Sequence, residues 1–161
     1  IIYPDALFIH IIRDGRKVVR SLSASYTKGF GWAGKDIKER TQLWVNLVNH
    51  GLNIKNFLPD RYLEIKYEDF YKYPIQTFEN IFDFINLKFD KKVLKPLAVP
   101  HADPITKNIV INPRYFFVNN NKAPRYLDAN WPKEWTKENK KDFLEKGGQL
   151  MKKLYPDLVL E

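Results

Sequence analysis

Residues Ala6 to Ile12 (ALFIHII) are apolar at every position but His10, follow the turn signal Pro4-Asp5, and run straight into Arg13-Asp14-Gly15-Arg16-Lys17. An unbroken apolar run of this length is what a strand buried on both faces of a parallel sheet requires. A parallel sheet in turn obliges the chain to cross over before it can pair again, and the crossover is normally a helix. The sequence supplies one: from about Gly15 to Tyr26, with Val18, Val19 and Leu22 on its inner side.

The same alternation continues. Leu43, Trp44, Leu47, Val48 and Leu52 recur at three- and four-residue spacing, which predicts a long helix from about Lys35 to Leu58 with Gly51 as a weak point. Arg61 to Tyr67 (RYLEIKY) alternates apolar and charged positions after Pro59-Asp60 and reads as a second strand. Pro74 suits the first position of a helix whose Phe78, Ile81, Phe82 and Ile85 form one stripe. Near the end, Thr136 caps a last helix carrying Phe143, Leu144, Leu150, Met151 and Leu154 on a shared face. Between these, Leu97 to Lys133 is punctuated by five prolines and is expected to be a long irregular, lid-like segment.

Strand, helix, helix, strand, helix is the order of an α/β layer with parallel strands and right-handed crossovers. Only two strands are convincing, where a doubly wound sheet has about five. The 161 residues are therefore expected to form a single, partial domain that begins at least one strand late.

Charge narrows the ligand class. Lys and Arg number 27 against 19 Asp and Glu, a net charge of +8, which favours an anionic partner. No cysteine is present, so disulfides and thiolate metal sites are excluded. No apolar run approaches the roughly 18 residues of a membrane span and no signal-peptide pattern leads the chain, so a soluble, cytoplasmic protein is expected.

The junction after Ile12 is the place for an anion. Ligands of α/β sheets bind beyond the carboxyl ends of the strands, where a helix begins with free N–H groups and the positive end of its dipole. Arg13 can offer a guanidinium fork, Ser21 a hydroxyl from two turns into the helix, and Lys17 lies one turn before Ser21 on the same face. The alternative is structural: Arg16, Lys17 and Arg20 solvate the outer face while Arg13 pairs with Asp14 or Glu68.

FIHIIRDGRKVVRS, with Arg13 and Ser21 eight apart at a strand end, resembles the 3′-phosphate-binding element of sulfotransferases that use 3′-phosphoadenosine 5′-phosphosulfate (PAPS). Tyr67-Glu68-Asp69, closing RYLEIKYEDFYKYPIQTFENIFDFINL, resembles that family's strand-loop-proline-helix segment, and APRYLDANWPKEWT its basic clamp and following helix cap. The resemblance implies a P-loop-NTPase-like three-layer parallel sheet with helices on both faces, incomplete at the N-terminus. It implies PAPS as co-substrate, its desulfated form PAP as product, and no metal. It assigns the 3′-phosphate to Arg13 and Ser21, the adenine neighbourhood to Tyr67, and a phosphate clamp to Arg125, where the family's following glycine is Tyr126 here. Glu68 and Asp69 would fix the loop.

The family's glycine-rich phosphosulfate loop and its catalytic base are not found in the chain and are expected upstream. Gly29, Gly31 and Gly34 do not have the spacing of such a loop. His10 is read as a packed strand residue, Trp131 as a packing residue, and no catalytic residue is assigned. The acceptor is open among glycan, lipid, tyrosine and small alcohols, with Tyr115, Phe116 and Phe117 as pocket candidates. Two other readings stand beside the enzyme: a non-catalytic module binding PAP or PAPS, and a basic nucleic-acid-binding domain, the latter disfavoured because its cations are interleaved with acids.

Overall fold

The computed structural model describes residues 3–90, 101–102, 109–110 and 130–160. The chain divides into two compact units, Ile1–Tyr67 with Tyr126–Glu161, and Glu68–Arg125.

The first unit holds strand β1 (Phe8–Ile12), helix α1 (Gly15–Thr27), helix α2 (Ile37–Phe57) and strand β2 (Tyr62–Lys66), with helix α5 (Lys137–Leu154) after the second unit's elements in chain order. β1 and β2 pair in parallel, Phe8 opposite Tyr62 through to Ile12 opposite Lys66. The Tyr67 N–H extends the ladder by donating to the Ile12 carbonyl at 2.7 Å. The predicted elements are all present with bounds shifted by one or two residues, and the crossover between the strands is made by both α1 and α2.

Helix ends follow local chemistry. Asp14 caps α1, Asp36 caps α2 by accepting from the Glu39 N–H, and Thr136 forms a reciprocal capping box with Asn139 at α5. The apolar stripes of α2 and α5 meet in one core built on Ile12, Val19, Trp44, Val48, Phe143 and Met151. Trp44 stacks on Phe143 with centroids 6.0 Å apart, and Trp131 and Trp135 close around the same phenyl ring at 5.7 and 5.5 Å. Trp131 is therefore the packing residue that was expected.

Gly51, inside α2, also seats β1: a Cβ there would run into the His10 ring. One expectation changes: β1 is not covered on both sides, because Ile9 is 39% and Ile11 50% exposed whereas Ile12 is 1%. The apolar run reflects a strand with one face against α2 and the other open.

In the second unit, the short helix α3 (Asp69–Lys72) leads into α4 (Pro74–Phe84), with Pro74 at the first helical position. Thr77 ties the two by donating its hydroxyl to the carbonyls of Asp69 and Tyr73 at 3.1 and 2.8 Å. A pair of two-residue strands, β3 (His101–Ala102) and β4 (Ile109–Val110), is antiparallel and was not anticipated. Most of the lid-like segment 97–133, including Tyr115, Phe116 and Phe117, lies outside the described residues.

Candidate anion-binding site

The carboxyl end of β1 delivers Arg13 beside Tyr67, the residue that follows β2, because the parallel register sets Ile12 next to Lys66 and carries both strands out in the same direction. The Arg13 guanidinium carbon lies 4.6 Å from the centre of the Tyr67 ring. That is a cation–π contact, which orients the guanidinium without consuming its N–H donors. Arg13 Nε is buried with no hydrogen-bond partner, and Arg13 enters no ion pair among the described residues. A buried donor left unmade costs about 1–3 kcal/mol unless something binds it, so this one fits an anionic acceptor.

The rest of the junction departs from expectation. The first N–H groups of α1 are already engaged: Gly15 N donates to Met151 Sδ at 3.4 Å, Arg16 N to Asp14 Oδ1 at 2.9 Å, and Lys17 N to the Asp14 carbonyl at 3.0 Å. The helix end is thus satisfied by its own cap, and an anion there depends on the Arg13 side chain.

Arg16 and Lys17 are not solvated cations. Arg16 is 1% exposed and forms a two-pronged ion pair with Asp14, Nη2 to Oδ2 at 2.6 Å, while its guanidinium sits 5.4 Å from the Trp131 ring centre. Lys17 is buried, its Nζ donating to the Asn130 carbonyl at 3.1 Å, so it does not stand free beside Ser21. Only Arg20 keeps the surface role, in an exposed 2.6 Å pair with Glu134. Three basic residues of α1 therefore seat the segment Asn130–Trp135. An N-cap aspartate with an arginine two residues on can close a local pair, and the D-G-R spacing permits this one without deciding it against a pair with Arg13.

Ser21 is exposed on α1 two turns along, and no contact joins it to Arg13 among the described residues. Arg125 lies outside them. Glu68 and Asp69 begin α3 through backbone bonds, to Lys72 N at 3.0 Å and Tyr73 N at 2.8 Å.

His10 is the packed residue that was expected. It bonds the Tyr62 hydroxyl through Nδ1 at 2.5 Å, and the rings meet edge-on. Burial lowers the His10 pKa against the pull of Glu64, with Lys66 adding to the fall, while burial and Glu64 push Tyr62 up to about 12. Both partners are therefore neutral at pH 7. His50 is exposed on α2.

A concavity of about 320 Å³ is lined by Arg20, Ser23, Asp36, Arg40, Glu134 and Trp135 among others. Its cations are engaged: Arg20 pairs with Glu134, and Arg40 donates to the carbonyls of Gly34 and Lys35 at 3.0 and 2.9 Å. Among the described residues no group of three or more His, Asp or Glu is placed to hold a metal ion, and no helix is long and apolar enough to cross a membrane.

Among known proteins, the family model described as the sulfotransferase family matches residues 1–91, which contain β1, α1, Arg13, Ser21 and Tyr67 but not Arg125. Neither the curated proteins nor the solved structures return a match. With more than half of its length under that model, the chain belongs to the sulfotransferase family.

Proposed function

We propose that the protein transfers a sulfuryl group from PAPS to a hydroxyl or amine, and that this chain supplies the 3′-phosphate and adenine half of the nucleotide site. The observation that carries the reading is the Arg13 guanidinium, stacked on Tyr67 with its buried Nε unpaired. When bound, PAPS supplies the activated sulfuryl group.

The chain's own residues bind and orient. Arg13 donates to the 3′-phosphate, a charge-assisted contact worth about 1.5–3 kcal/mol. Ser21 approaches the same phosphate from α1, and Tyr67 supports the Arg13 fork while flanking the adenine; the resemblance alone gives Arg125 the part of a phosphate clamp. The fold that suits these roles is a P-loop-like three-layer α/β sheet, of which β1 and β2 form a parallel pair.

A thermal-shift comparison of PAP with AMP tests the reading. The two differ by the 3′-phosphate, so PAP is expected to raise the melting temperature well beyond AMP at equal concentration. Equal shifts by the two nucleotides would contradict it.

A further inference from the structure

Asp14 is the carboxylate next to Arg13 in the chain, and a pair between them would neutralise the anion site. In the structure the carboxylate is turned to Arg16: Oδ1 accepts from Arg16 N and Nε at 2.9 and 3.1 Å, and Oδ2 from Nη2 at 2.6 Å. Arg16 and Asp14 are 1% and 7% exposed.

Stability does not account for this pair. Desolvating two charges offsets most of their attraction, and a buried pair adds little over apolar residues of similar volume. Arg16 Nη1 is moreover buried without a hydrogen-bond partner. The arrangement is nonetheless held from several sides, by Trp131 5.4 Å from the guanidinium and by Lys17 reaching the Asn130 carbonyl at 3.1 Å.

We propose that Arg16 is a positioning residue for the anion site: it sequesters the Asp14 carboxylate, so that Arg13 stays uncompensated and available to a phosphate. Arg16 acts through charge without touching the nucleotide. This rests on the reading of Arg13 as the 3′-phosphate ligand. Its consequence is specific: freeing Asp14 places a negative charge beside Arg13, which repels the incoming phosphate or captures the guanidinium.

Calorimetric titration of the protein with PAP, and with AMP as reference, tests it. Arg16→Met is expected to weaken PAP at least about tenfold relative to AMP. Adding Asp14→Asn, which keeps a capping side chain and removes the charge, is expected to restore the wild-type preference. A double variant that binds PAP as poorly as Arg16→Met overturns the proposal, since lost packing would not be repaired by an amide. Should Arg16→Met fail to fold, Asp14→Asn alone decides: PAP affinity at or above wild type supports sequestration, and a tenfold loss overturns it. A wild type that prefers PAP while Arg16→Met prefers it equally overturns this proposal alone. A wild type that binds both nucleotides equally overturns the Arg13 reading and the proposal with it.

Discussion

Arg13 keeps its hydrogen-bonding capacity because two neighbours divide the local electrostatics: Tyr67 supports the cation through its ring, and Arg16 occupies the adjacent carboxylate. The support is separable from the hydroxyl. Tyr67→Phe is expected to leave PAP affinity within about twofold, whereas Tyr67→Leu, which removes the π face, is expected to weaken it by the equivalent of about 0.5–2 kcal/mol in the same titration. His10 gives an independent residue-scale expectation. Its folded pKa lies below 6.5, so between that value and 6.5 the unfolded chain binds more protons and stability rises with pH. Urea unfolding should show stability full above pH 6.5 and falling as pH drops toward the folded value, and His10→Gln should flatten that slope. At this scale the strand-end Arg13 was legible because apolar runs and single charges are local signals. The pairing of Asp14 with Arg16 was not read, because whether Asp14 turns to Arg13 or Arg16 depends on Trp131 and Asn130, over a hundred residues away.

At the scale of elements, the helices were legible nearly to the residue, since their apolar positions recur at helical spacing, Thr136 is a cap and Pro74 starts a helix on its own geometry, whereas the caps Asp14 and Asp36 emerge only in the structure. What patterning missed was close approach. Gly51 admits the His10 ring, and Gly15, the first residue of α1, lies flat against the indole of Trp44, where a Cβ would stand 2.8 Å from three ring atoms. Trp44 cannot retreat, being 3% exposed and stacked on Phe143. Gly15→Ala is therefore expected to destabilise the first unit by about 1–3 kcal/mol through overpacking, read as a lower urea midpoint with unchanged slope. An unchanged midpoint would show that α1 is free to shift from the core. The two-residue strands β3 and β4 carried no alternation long enough to be seen in sequence.

For the molecule as a whole, α/β alternation fixed the parallel pairing of β1 and β2, since two strands separated by two helices can return in the same direction only by crossing over. Continuous apolarity in β1 overstated its burial: Leu7, Ile9 and Ile11 line an open face, a fact of tertiary placement that composition does not encode. Arg125 was read from a motif beyond the residues that match the family, so its role stands on the resemblance, while Arg13 and Tyr67 stand together in space. The most direct measurement is the PAP affinity of Arg13→Ala against wild type by calorimetry, with AMP as the control ligand. PAP is expected to weaken by one to two orders of magnitude, in line with the loss of about 1.5–3 kcal/mol, and AMP to remain unchanged. PAP affinity equal to wild type, or an equal loss for both nucleotides, would contradict a 3′-phosphate site at Arg13.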